Sequence, residues 1–392
     1  MRLPTVRSNP FDPPPQLREY REQEPVRRLV YPDGHVGWLV TGYELSCSVL
    51  ADRRFSARSE FKRVPVPRPG ADPFIGQPAL PGWMVDMDAP EHTRFRRLLS
   101  GHFGARRMTL LRPAAERVFA ACLDTMEEQG PPADLVEAFA LPAPSLVICE
   151  LLGVPYADRE QFQRNSTTLF SLQASAAEGE AAMRELTAYL LRLIERKRSV
   201  PADDLLSALV ASGRLSHDEL AGLSVLLLTA GHETVASMLG LGAFVLLCRP
   251  DQLAAFRADD GLVVDAVEEL LRYLTIFQFG VPRTPLVDVE LDGRLIRAGE
   301  SVTVSLPAAN RDPDRFDRPD ELDIRRPRKS HLAFGHGIHR CIGQHLARLE
   351  LEVGYAALFQ RFPDLHLTVR PEEVPMFDDM GFYGAHHLPV AW

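Results

Sequence analysis

From Ser216 to Leu247 the chain runs for roughly thirty residues with no proline and, after the first turn, a single charged side chain. Ser216-His217-Asp218-Glu219 opens this run as a capping box, in which the serine caps the helix and the glutamate reciprocates. The apolar pattern continues to Leu247 and is stopped by Pro250. A helix of that length spans on the order of 45 Å, enough to cross the whole molecule. Its middle is interrupted by Ala230-Gly231-His232-Glu233-Thr234. Glycine costs about 1 kcal/mol against alanine inside a helix, so a small, polar break in an apolar element requires a reason.

Around this element the helical period dominates from about Pro113 to Leu274, with Pro131-Pro132, Pro155 and Pro201 punctuating successive segments. A second helix is predicted over about Val263 to Leu274, and a final one over roughly Gln344 to Phe362. Residues 27–40 read as two short strands about a Pro-Asp-Gly turn, and Val287–Leu291 with Leu295–Val304 as further short strands. Residues 57–82, rich in proline and glycine, form a long loop of the kind that often carries function. No repeat and no Gly/Ser linker divides residues 1–392, so one continuous domain is expected, mainly α with a minor β region (α+β).

The composition, 45% hydrophobic and 25% charged, is that of a globular protein, and the formal charge of −9 argues against a nucleic-acid binder. The opening MRLPTVRSNPFDPPP has no apolar core of a leader, and the most apolar run, Leu220–Leu247, is broken by His232 and Glu233. A soluble, cytoplasmic protein is expected, with no membrane partner. Five scattered cysteines without a Cys-x-x-Cys pair fit reduced thiols rather than a disulfide frame or a zinc site.

One of them stands apart. Residues 334–343 read Phe-Gly-His-Gly-Ile-His-Arg-Cys-Ile-Gly. A thiolate that binds iron needs backbone N–H groups aimed at the sulfur and an apolar cover against water. Gly335 and Gly337 permit the tight turn, Gly343 lets the backbone approach a flat macrocycle, Phe334 is placed to cover the sulfur, and a helix N-terminus follows Cys341. An isolated cysteine beside a glycine turn would be read as a buried, inert thiol. The whole decapeptide instead resembles the haem-binding signature of the cytochrome P450 superfamily, Phe-Gly-x-Gly-x-His/Arg-x-Cys-x-Gly, at every fixed position.

The resemblance extends along nearly the whole chain and implies a long central helix over a b-type haem with Cys341 as axial ligand to the iron. The helix break resembles the family's Ala-Gly-x-Asp/Glu-Thr motif. On that likeness Ala230 and Gly231 leave room for dioxygen, while Glu233 and Thr234 guide protons; His232 is read as pointing elsewhere. Glu269-Leu270-Leu271-Arg272 resembles the family's Glu-x-x-Arg ion pair, a brace for the cysteine loop. Where the family often supplies a third arginine this chain has Pro319-Asp320-Glu321-Leu322, and Arg325 is the candidate substitute. His92 and Arg96, which share a helical face, together with Arg283 and His339, are candidates to neutralise the two haem propionates.

The reaction so implied is insertion of one oxygen atom from dioxygen into a small hydrophobic substrate, by hydroxylation or epoxidation. Electrons would come from a ferredoxin and its reductase, since no flavin or iron–sulfur segment is present. Arg340, Arg348, Arg106 and Arg107 are candidates for a docking patch on a monomeric enzyme. Substrate contacts are expected from Trp83, Met84 and Val85 in the long loop, Phe170, Leu226, Leu227, Ile276, Phe279, Val281 and Phe382. Lysine-poor usage and Gln278–Arg283 resemble actinobacterial members acting in natural-product biosynthesis, including antibiotics. Two other readings stay open: the same haem performing oxidative coupling, ring formation or desaturation, and a haem-binding carrier or sensor, against which an intact Glu233–Thr234 pair argues. No His-Glu-x-x-His or equivalent set points to a non-haem metal hydrolase.

Overall fold

In the computed structural model, which describes residues 1–392 apart from the side chain of Tyr156, helices form most of the chain. They are α1 (Gln16–Gln23), α2 (Tyr43–Ala51), α3 (Glu91–Ser100), α4 (Ala105–Gln129), α5 (Pro142–Leu152), α6 (Arg159–Phe170) and α7 (Ala176–Ser199). There follow α8 (Leu205–Ser212), α9 (His217–Leu247), α10 (Pro250–Ala258), α11 (Val263–Leu274), α12 (Leu306–Ala309) and α13 (Gln344–Arg361). The strands are β1 (Val26–Val30), β2 (Val36–Val40), β3 (Phe55–Ser56), β4 (Ala133–Asp134), β5 (Val281–Pro285), β6 (Val289–Leu291), β7 (Arg294–Ile296), β8 (Val302–Val304), β9 (His366–Leu367) and β10 (Pro389–Ala391).

Helix α9 is the axis. Its capping box forms as the sequence requires: the Ser216 hydroxyl accepts from the Glu219 amide at 3.2 Å and the Glu219 carboxylate accepts from the Ser216 amide at 2.9 Å. The helix is buried on nearly every side, packed by α5, α7, α10, α11 and α13. That explains why its sequence shows no polar face. By length and composition α9 could cross a membrane, yet 78% of its most apolar stretch is buried inside the fold. Gly231 has a packing cause: a Cβ there would come within 2.7 Å of Ile148 on α5, so the helices touch at that point only because it is absent. The close approach of α9 to α5 at this point therefore depends on the glycine.

The sheet lies to one side, with strand order β1-β2-β8-β5-β3. β1 and β2 pair antiparallel, Val26 opposite Val40, through the predicted Pro-Asp-Gly turn. β2 and β8 run parallel, and β6–β7 turn through Asp292 and Gly293, both at positive φ. The main helical block starts earlier than expected, because α4 begins at Ala105 and carries Pro113 inside it.

The Glu-x-x-Arg pair sits where helix and cysteine loop meet. Glu269 and Arg272 on α11 are almost fully buried and form a two-bond fork at 2.7 and 2.8 Å. The third member is Arg326, whose Nε donates to both Glu269 oxygens at 3.1 and 3.2 Å; Arg325, the sequence candidate, is exposed. These residues lie in a turn closed by the Arg326 amide on the Asp323 carbonyl, where neighbours diverge, so a one-residue choice cannot be made from spacing. Arg272 also donates to the carbonyls of Asn310 and Pro319, and the Asn310 side chain accepts from the Leu332 amide at 2.7 Å, just before the cysteine loop.

Breaking a buried ion pair from one side costs about 3–5 kcal/mol. Glu269→Ala should lower the urea midpoint correspondingly at unchanged slope; a variant as stable as the parent would remove the bracing role. Glu350 on α13 tests burial in the opposite sense. It is fully buried, neither carboxyl oxygen has a hydrogen-bond partner among the described residues, and burial pushes its pKa well above the carboxylate range. The folded pKa is raised, so ionisation opposes folding as pH climbs past the unfolded value of about 4.3. Glu350→Gln should match the parent near that pH and become the more stable protein, by about 1–3 kcal/mol, towards alkaline pH. A gap in thermal midpoint that does not widen with pH would refute this.

A thiol loop and a polar break facing the same helix core

The cysteine loop leaves Leu332 and folds back on itself: the Gly335 amide donates to the Leu332 carbonyl and the Cys341 amide to the Phe334 carbonyl, at 2.8 and 2.9 Å. Gly335 and Gly337 both sit at positive φ, and a Cβ on Gly337 would strike the Leu50 carbonyl of α2. Cys341 thereby reaches the N-terminal end of α13, where the nearby Gly343 amide favours the thiolate form. Burial pushes the thiol up, while the Gly343 amide and the charges of Arg96, Arg348 and Arg340 pull against it. Cys341 keeps accessible residue surface although its sulfur lies deep among protein atoms, whereas Cys122 and Cys149 are buried and driven up to about 11 and 12 by desolvation. Phe334 is covered by the Arg348 guanidinium, 4.6 Å from its ring centre.

At the middle of α9, Ala230 is exposed although most of the helix around it is buried. Thr234 is half-buried and its hydroxyl donates to the Ala230 carbonyl at 3.0 Å. Glu233 is buried and accepts from the Thr167 hydroxyl on α6 at 2.9 Å. His232 indeed turns away: Nδ1 meets the Leu228 carbonyl at 3.0 Å and the ring packs edge-on to Phe162.

The four propionate candidates do gather. His92 and His339 rings lie 4.2 Å apart, His92 is buried with Nδ1 unpartnered, and Arg96 reaches the Arg340 carbonyl. Arg283 is 5% exposed and donates to the Pro282 carbonyl at 2.8 Å, and burial lowers its guanidinium to about 10. Burial, then the charges of Arg283, His92, Lys62 and Arg96, push His339 down to about 2. Lys62, paired with Asp86, is a neighbour of this group that sequence reading missed; as one of three lysines in the chain it carried a compositional signal. A buried cluster with this surplus of cations, an orphaned imidazole nitrogen and a thiol under a backbone amide fits a flat group that carries two carboxylates and an axial metal.

The expected substrate residues divide. Phe170 packs edge-on to Phe382, which also meets Phe277, all at 4.8 Å. The Tyr383 amide donates to Ile276 and the Gly381 amide to Phe170, which brings these three segments together. Leu226 and Leu227 are buried on α9; Trp83 is half-buried, Val85 exposed, and Met84 belongs to the main core. Phe279 and Val281 are half-buried and pack against the two sheet-side clusters. In the proposed docking patch Arg340 and Arg106 are exposed, but Arg348 is not free, since Glu268 holds it together with His331. Burial would raise Glu268, but His331 and Arg348 overcome this and hold it at about 2.

A family model described as Cytochrome P450 matches residues 261–382. The chain is 49% identical to cytochrome P450 105C1 from a Streptomyces species, over 99% of this chain and 97% of that one. It is 43% identical to the cytochrome P450 monooxygenase PikC of Streptomyces venezuelae, over 97% and 91% of the two chains. The crystal structure of CYP105P1 in complex with filipin I superposes with a TM-score of 0.92 at 42% identity, covering 100% of this chain and 98% of that one. With likeness of that degree along its full length, and a thiol loop and cation cluster that suit the same prosthetic group, this chain belongs to the cytochrome P450 family of haem-thiolate monooxygenases.

Proposed function

We propose that Cys341 is the axial thiolate, that His92, Arg96, Arg283 and His339 hold the propionates, and that Glu233 and Thr234 deliver protons for oxygenation of an apolar natural product. The observation that carries this reading is the acid–alcohol pair at the one point where α9 opens, beside the exposed Ala230. The haem, when bound, supplies oxygen activation, to which a thiolate ligand contributes electron density. The protein's own tasks are to orient the substrate, exclude water and move protons.

The Phe170–Phe277–Phe382 cluster and the leucines of α9 offer an apolar, aromatic wall, which selects hydrophobic substrates by area and offers no charge to an ionic one. Thr234 keeps its hydroxyl at the helix break by bonding one turn back, and Glu233 stands beside it on the buried side. A ferredoxin with its reductase is the electron source we infer, docking near the exposed Arg340 and Arg106 with the enzyme acting as a cytoplasmic monomer. Filipin I in the similar structure and the monooxygenase activity named for PikC support a polyketide, macrolide or terpenoid-like substrate.

Two measurements test the assignment. The reduced carbon monoxide complex of the haem-loaded protein should show the red-shifted Soret band of a thiolate ligand, and Cys341→Ala should abolish that band; a spectrum indifferent to the substitution would end the ligand assignment. Thr234→Ala should retain the spin-state response to a natural product that shifts the parent, filipin I among those screened, while releasing more of the consumed reducing equivalents as peroxide. Unchanged coupling would exclude Thr234 from proton delivery.

A further inference from the structure

Resting on the proton-delivery role proposed for Glu233 and Thr234, we infer that Thr167 is a positioning residue for Glu233 and the place where protons from solvent reach it. Thr167 is exposed, Glu233 is 6% exposed, and the Thr167 hydroxyl donates to Glu233 Oε1 at 2.9 Å across the contact between α6 and α9. A hydroxyl that touches both water and a buried carboxylate can donate its own proton to the carboxylate and take one from water, with no net change in itself.

The identity of the partner decides what Glu233 can do. Glu269 and Glu268 on α11 face cations, Arg272 and Arg326 for the first and Arg348 and His331 for the second, while the fully buried Glu350 faces no hydrogen-bond partner among the described residues. Cationic partners fix a carboxylate in its ionised form. A neutral hydroxyl holds the orientation of Glu233 without fixing its charge, which is what a group that alternately takes and gives a proton requires. The other titratable group beside Glu233 is His232, whose Nε2 is fully buried, has no hydrogen-bond partner and lies 3.5 Å from the same Oε1. Its Nδ1 meets the Leu228 carbonyl, so Nδ1 carries a hydrogen. Both neighbours address Oε1, which leaves Oε2 to pass a proton towards Thr234. Ser166, the adjacent hydroxyl on α6, is fully buried with no partner and so does not share the task.

Helix α6 also carries Phe170, one turn beyond Thr167 and in contact with Phe382. The helix that lines the substrate side therefore also holds the acid, and a displacement of α6 by a substrate would be felt at Glu233.

The test compares the haem-loaded parent with Thr167→Val, which keeps the shape and removes the hydroxyl, and Thr167→Ser, which restores it. With NADPH as reductant through a plant-type ferredoxin and its reductase, the peroxide released per NADPH should rise several-fold in Thr167→Val and return to the parent level in Thr167→Ser. The solvent deuterium effect on NADPH consumption should change in the valine variant alone. A second readout needs no turnover: the infrared carboxyl band of Glu233, identified by its loss in Glu233→Gln, should move in Thr167→Val and stay in Thr167→Ser. Parent-like peroxide yield and an unmoved band in the valine variant would overturn the proposal, as would a serine variant that behaves like valine. If the parent itself consumes no NADPH, the monooxygenase reading of the site fails, while the infrared comparison still decides whether Thr167 holds Glu233.

Discussion

Glu269 and Arg272 bury a full positive and negative charge at the junction of α11 and the segment that leads into the cysteine loop. A pair so placed costs several kcal/mol to desolvate and recovers it only when every remaining hydrogen-bonding position is filled. Here the filling partners are Arg326 and the carbonyls of Asn310 and Pro319, and Asn310 in turn fixes Leu332. The ion pair thus does not simply stabilise; it specifies, because the loop around Cys341 has one position from which all of these bonds close together.

Helix α9 meets two demands that pull apart. As the axis of the fold it has to be apolar on nearly every side, and for the proton delivery proposed above it has to present small and polar groups at its centre. The chain separates the two along adjacent residues. Gly231 serves contact with Ile148, His232 and Glu233 are turned into the protein, and Ala230 and Thr234 are left at the open face. The helix runs on unbroken through these residues, with the Thr234 and His232 side chains turned back onto carbonyls one turn earlier.

Much of this was readable from sequence wherever the cause is local. The Ser216–Glu219 box marks the start of α9, and Val263–Leu274 and the end of the chain's last helix follow from periodicity within a residue or so. The cysteine loop is local as well, since glycine positions and sulfur lie within ten residues. What escaped is set by contacts distant in sequence. Arg326 rather than Arg325 completes the ion cluster because of how one turn faces α11, and Thr167 sits in an ordinary amphipathic helix whose meaning appears only where it crosses α9. Phe279 and Val281, named as wall residues by proximity to Ile276, are half-buried against the two sheet-side clusters, a packing that the local sequence does not reveal.

The connection between α6 and α7 is laced to the C-terminal turn: the Leu172 amide bonds the Asp379 carbonyl, the Gly381 amide bonds Phe170, and Ser171 bridges Met380. Two segments about two hundred residues apart in the chain thus share a miniature sheet above the aromatic cluster. Bonds of this kind contribute about 1 kcal/mol each, so parting the seam is a small energetic step that thermal motion can make often. Discrimination between molecules would then be exercised twice, once by the time the seam stays parted and once by the aromatic surface beneath it.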